Sequence, residues 1–183
     1  QFDAKVLSCI EGIDAISTGS ESLGNATHAI VLDRTLFYPE GGGQLSDHGV
    51  LSDGSASVRV VDVQIDGDVI LHLTDGPLAT GSVQGEIDWS RRMQLMDHHT
   101  AVHIVGGAAR QILGDHIWQA GSNKGARYAR LDITHHSRLE REVLDAIEDL
   151  ANEVVASSPT VEKLLIPRAE ADANFGFELY QGG

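Results

Sequence analysis

Two regimes of hydrophobic spacing divide the chain near residue 89. Ahead of that point lie four β-branched runs, HAIVLD (28–33), ASVRVVDVQI (56–65), DVILHLT (68–74) and SVQGEIDW (82–89), separated by Gly, Asp and Ser. Such runs read as short strands joined by turns. Asp66-Gly67 sits between two of them and predicts a tight hairpin. From Arg91 to Leu113 the period becomes helical, with Leu95, Val102, Ile104, Val105, Ala108, Ala109 and Ile112 recurring on one face and Gly114 as the stop. A second helix is predicted after a capping box of Ser137 and Glu140, its apolar face formed by Leu139, Val143, Ile147, Leu150 and Val154. ARYARLDI (126–133) and TVEKLLI (160–166) read as further strands. The expected fold class is α+β. A small antiparallel β-barrel carrying a glycine-rich loop spans 1–88, and an α+β domain with two main helices against a sheet spans 89–183.

Composition narrows the chemistry. The 183 residues suffice for one domain or two small ones. No apolar run of about 18 residues and no signal-peptide pattern occurs, which predicts a soluble cytoplasmic protein without a membrane partner. The single cysteine, Cys9, allows no internal disulfide. Acidic residues number 27 against 13 basic ones, for a net charge of −14, and the lysines are Lys5, Lys124 and Lys163. That balance ordinarily argues against a nucleic-acid partner. Acid-rich, lysine-poor surfaces also belong to proteins of salt-loving organisms, where self-repulsion is screened. Charge therefore does not exclude RNA.

Three constellations stand out, each with an ordinary structural explanation. LFYPEGGGQLSDHG (36–49) holds three successive glycines, costly to order unless the backbone needs unusual angles or something must approach closely; a flexible turn is the simpler explanation. Tyr38 and Pro39 stiffen the approach to this loop, and Gln44 and Asp47 offer hydrogen-bonding groups after it. MDHHTAVHIV (96–105) places His99 and His103 four residues apart on one helical face, a spacing that can grip zinc but supplies only half a tetrahedral site. The other histidines show no recognised ligand spacing. WQAGSNKGARYARLDI (118–133) offers Gln119 and Ser122 as turn residues and puts Arg130 and Asp132 on one strand face.

In this order, FYPEGGGQLSDHG, HTAVH and QAGSNKGARYARLDI resemble the editing domain of alanyl-tRNA synthetases and the related free-standing alanyl-tRNA editing proteins. The resemblance implies hydrolysis of the ester joining serine or glycine to alanine tRNA, with the mischarged tRNA and the remaining synthetase domains as partners. It implies that His99 and His103 hold zinc. Gln44, Gln119 and Ser122 are implied as the catalytic residues; Gln119 and Ser122 line the pocket, with Gln119 reading the serine hydroxyl, and Arg130 contributes to substrate binding. Gly41, Gly42 and Gly43 bring backbone to the terminal adenosine, with Gln44 beside them. Family members pair the helical histidines with a later Cys-x-x-x-His, which is missing between His103 and Gly183. The ending GFELYQGG is similar to archaeal-type synthetase sequence just ahead of that segment, so the chain is expected to be a fragment whose two further zinc ligands lie downstream of Gly183. A free-standing editing protein and a non-catalytic tRNA-binding or structural module are the alternatives.

Overall fold

The computed structural model describes residues 1–12, 25–162 and 164–176; most of the GFELYQGG ending lies outside them. Among the described residues are six barrel strands: β1 (Phe2–Glu11), β2 (His28–Leu32), β3 (Gly49–Ser52), β4 (Ser57–Asp66), β5 (Val69–Thr74) and β6 (Gly81–Ile87). All their pairings are antiparallel, and they close in the order β1-β2-β5-β4-β3-β6. Two long strands make the closure possible. β1 pairs with β6 through its first half and β2 through its second, and its register shifts between Val6 and Ser8. β4 likewise serves β3 and then β5, shifting between Val60 and Asp62. Such bulges bend a strand and increase its twist, letting one strand turn a barrel corner.

Alternation fills the interior. In β1, Ala4 and Val6 are buried while Asp3 and Lys5 are exposed, and Ile30, Leu51, Val60 and Val63 join them in one core cluster. β1 and β3 were not anticipated: β1 mixes Lys, Ser and Cys into its run, and β3 has four residues. The β4–β5 hairpin forms one residue later than expected, with Asp66 paired to Val69 and Gly67-Asp68 as the loop.

The second half contains α1 (Trp89–Leu113), the β7 (Gln119–Lys124)–β8 (Ala129–Ile133) hairpin, α2 (Arg141–Ala156) and α3 (Arg168–Phe175). With the barrel, this makes an α+β protein. The chain divides into two compact units, Gln1–Met96 with Gly125–Arg127, and Asp97–Lys124 with Tyr128 onward, the division falling inside α1. In the second unit Ala108 and Ala109 of α1, Ile117, and Ile147 and Ala151 of α2 form the core, with Ile133 and Val143 against it. Val105 and Ile112, expected on the apolar face of α1, are exposed.

The Ser137–Glu140 capping box does not form. Glu140 is the N-cap without a side-chain bond, and Ser137 Oγ contacts His135 instead. Nor do the described residues of 160–166 form a strand: Val161 and Leu165 are 83% and 95% exposed and pair with nothing. Composition alone does not make a strand without a pairing partner. Among the described residues, no helix is long and apolar enough to cross a membrane.

His72 on β5 is 1% exposed; its Nδ1 meets Ile30 O at 3.0 Å and its Nε2 meets Thr35 Oγ1 at 2.8 Å. A carbonyl only accepts, so Nδ1 carries the hydrogen; in the neutral ring that burial favours, Nε2 accepts from Thr35 Oγ1. Burial depresses its pKa from 6.5 to about 4. Between those values the unfolded chain binds a proton that the folded chain refuses, so stability falls as pH drops through the window. The loss should total on the order of 3 kcal/mol. Urea unfolding from pH 7 to 4 should show it, and His72→Gln should remove the His72 share of the pH dependence while lowering stability at pH 7.

Candidate functional site

In the barrel unit the glycine loop is ordered by its own backbone. Gly41 N donates to Gln44 O at 3.1 Å and Gln44 N to Gly41 O at 2.9 Å, forming a one-rung hairpin. The two central residues are Gly42 and Gly43, with φ of 58° and 72°. Positive φ at both central positions is the type I′ turn, whose geometry residues with a Cβ resist. Tyr38 OH donates to Gly41 O at 3.3 Å. Gly42 and Gly43 are exposed at the tip, whereas Gln44 is buried.

Asp47 anchors the loop. Buried to 1% exposure, it pairs with Arg92 in the first turns of α1, whose Nε donates to Oδ1 at 2.7 Å. Asp47 Oδ2 also accepts from Tyr38 N at 2.7 Å, and Tyr38 O accepts from Asp47 N at 3.0 Å. Arg92 Nη2 reaches Leu36 O at 2.8 Å and Arg91 Nε reaches Ser46 O at 3.2 Å. A second buried carboxylate, Asp62, accepts from Ser46 Oγ at 2.5 Å and Gln64 Nε2 at 2.9 Å, and Gln64 also donates to Glu40 Oε2. Both arms of the loop are thus held by charge-assisted bonds. His48 lies beside this network with Nε2 buried and unbonded; burial first, then Arg91, lowers its pKa.

In the second unit Gln119 and Ser122 lie on β7, not in a turn. Three residues apart, they would point to opposite faces of a regular strand. The register shift between Gln119 and Gly121 inserts one residue and brings them together, Gln119 Nε2 donating to Ser122 Oγ at 3.2 Å. Lys124, two residues on and 2% exposed, donates from Nζ to the same hydroxyl at 2.6 Å, and burial lowers its pKa. Gln119 lines a cavity of about 50 Å³ with Val102, Gly106, Arg110, Trp118 and Leu131. Arg110 lies over the Trp118 ring at 4.2 Å. Arg130 pairs across the hairpin with Asn123, one position out of step with Ser122 and Leu131, so it lies on the opposite face. There it meets Asp132 at 3.2 Å, both side chains substantially exposed. The structure therefore brings Gln119 and Ser122 together, adds Lys124, and leaves Arg130 apart from them.

His99 and His103 stack along α1 with centroids 5.2 Å apart and planes 18° from parallel. Burial, then Lys124, then His103, lowers the His99 pKa. Among the described residues no third His, Cys, Asp or Glu gathers with the pair. His116, His135 and His136 do form a three-imidazole group. Their sequence separations carry no ligand signature; the β7–β8 pairing is what assembles them. The one available sequence signal for Lys124 was that lysine is rare in this chain.

Residues 2–91 match the family described as tRNA synthetases class II (A). Over the chain as a whole the similarity is to alanine–tRNA ligases in particular. The chain is 46% identical to that of Natronomonas pharaonis and 47% identical to that of Halobacterium salinarum, in each case over 100% of the chain and 19% of the relative. It is 48% identical to that of Ignicoccus hospitalis over 90% of the chain and 18% of the relative. The chain thus spans about a fifth of the length of these relatives.

The glycine hairpin yields a graded expectation. Gly43→Val should cost roughly 1–2 kcal/mol, because a branched side chain would be held at φ 72°. Gly41→Ala should cost less than about 0.5 kcal/mol, since its φ is ordinary and a Cβ there meets nothing closer than 3.9 Å. Urea midpoints of the two variants check the difference.

Proposed function

We propose that this chain is the editing portion of an alanine–tRNA ligase and that it hydrolyses the ester of alanine tRNA mischarged with serine or glycine. A synthetic pocket shaped for alanine cannot exclude glycine by size and rejects one added hydroxyl only weakly, so a second, hydrolytic site is needed. The observation that carries the reading is Gln119, set by a β-bulge at a cavity of a few water-sized spaces and tethered there through Ser122. Its amide both donates and accepts, as recognition of a serine hydroxyl requires. Ser122, itself held by Lys124, restricts the Gln119 rotamer. The exposed Gly42-Gly43 tip offers backbone without side chains for close approach of the terminal adenosine.

In the reaction, water adds to the ester carbonyl, the bond to the ribose oxygen breaks, and serine and the free tRNA end leave. Zinc bound by His99 and His103, with donors beyond the described residues, would polarise the ester or orient it. The two imidazoles alone are half a tetrahedral set, so the roles drawn from this chain are recognition and positioning. Gln44, being buried, supports the glycine turn from beneath. Arg130, on the other hairpin face, acts on the tRNA at a distance from Gln119. The 27 carboxylates fit a protein working in concentrated salt, where a Debye length of about 3 Å screens their repulsion of phosphate.

The test is deacylation of seryl- and alanyl-tRNA for alanine by the full-length gene product carrying this sequence, at low and molar salt. The seryl ester should be cleaved at least about tenfold faster, a difference of about 1.4 kcal/mol in activation free energy. Gln119→Ala should narrow that ratio more than it slows hydrolysis, and His99→Ala should reduce hydrolysis of both esters. Equal cleavage of both by the unaltered protein would overturn the editing reading. An optimum at low salt would overturn the salt adaptation alone.

A further inference from the structure

We propose that His116, His135 and His136 form a second metal site, separate from the His99–His103 pair, that takes one divalent ion of the zinc class and staples the two ends of the β7–β8 hairpin. One ligand atom from each imidazole lies within 4.8 Å of the other two. Ring centroids are separated by 5.2 Å (His116–His135), 5.8 Å (His116–His136) and 4.5 Å (His135–His136). Imidazoles bound tetrahedrally to one zinc, with zinc–nitrogen bonds of about 2.0–2.1 Å, put their centroids about 5 Å apart. The cluster therefore closes on an ion through small side-chain rotations.

The backbone holds the ligands in register. Thr134 N donates to Trp118 O at 2.9 Å, Trp118 N donates to Thr134 Oγ1 at 2.8 Å, and that hydroxyl donates to His116 O at 2.7 Å. This clamp fixes the chain at residue 116 against residue 134, so His116 meets the two histidines that follow. Ring orientation is set as well. His135 Nε2 lies 3.3 Å from Ser137 Oγ and its Nδ1 lies 3.0 Å from His116 Nε2. A ligating histidine commonly donates its second nitrogen to such a partner. Nε2–H pointing at Ser137 leaves the Nδ1 lone pair for the ion. The hydrogen now shared by the two rings moves to His116 Nδ1 on metal binding.

Ligand chemistry selects the ion. Three imidazoles with no carboxylate in the group suit zinc, cobalt, nickel or copper and do not suit magnesium or calcium. The fourth position is left to water, and the exposure of His116 and His136 gives the ion a direct path from solvent. Because the ligands come from both ends of the hairpin, binding stabilises the folded second unit over the unfolded chain.

The experiment titrates Co²⁺ into the purified chain carrying His99→Ala and His103→Ala, which silences the helical pair. The expected result is one equivalent bound, visible absorption bands of a tetrahedral or five-coordinate nitrogen site, and a raised unfolding midpoint. Zn²⁺ should displace the cobalt, and Mg²⁺ should not. In that background His116→Ala and His136→Ala, both at exposed positions, should each weaken binding about tenfold or more and abolish the midpoint shift, with unchanged circular dichroism. Absence of stoichiometric cobalt binding overturns the proposal, as does binding that survives both substitutions.

Discussion

A single buried carboxylate, Asp47, organises the glycine loop. Burying a charge is costly unless it is paired and fully hydrogen-bonded, and Asp47 meets both conditions through Arg92 and the Tyr38 amide. The same guanidinium reaches Leu36 O, so one cation closes both sides of the loop onto the start of α1. The type I′ turn at Gly42-Gly43 is thereby displayed on a fixed base. Asp62 repeats the arrangement further down, coupling Ser46 to Gln64 and, through it, to Glu40. A loop with three glycines is thus held by charged and polar side chains at its base.

The second unit solves a different problem, that of aiming two polar side chains from one short strand. The bulge in β7 makes Gln119 and Ser122 neighbours, and the hydroxyl they share with Lys124 ties three residues into one chain of hydrogen bonds. Bulges re-aim side chains in this way beside functional sites. The apolar cluster of α1, α2 and Ile133 supplies the rigidity behind that strand. Under the proposed editing role that rigidity matters, because a mobile amide discriminates poorly.

Much of the fold was legible because periodicity reports burial. β2, β4, β5, β6 and α1 follow from period-2 and period-3.6 spacing within one to two residues. β1 and β3 escaped because a half-polar run or a four-residue run has little pattern to read. Residues 160–166 misled for the converse reason: a β-like composition forms no strand without a partner. At the candidate site, Gln119 and Ser122 were legible from the family-like motif, but the bulge that joins them depends on pairing with β8. The His116–His135–His136 group was illegible for the same reason, being created by strand pairing across 19 residues.

The most direct test of the account is a double-mutant cycle on its central clamp, with Asp47→Asn, Arg92→Met and the double variant unfolded in urea at pH 7. Each single substitution should cost about 3 kcal/mol, because each strands a charge that the other had paired. The double variant should be destabilised by at least about 1.5 kcal/mol less than the sum. Costs that add to within about 0.5 kcal/mol would show that the two side chains act independently and would contradict the claim that Asp47 and Arg92 hold the loop together.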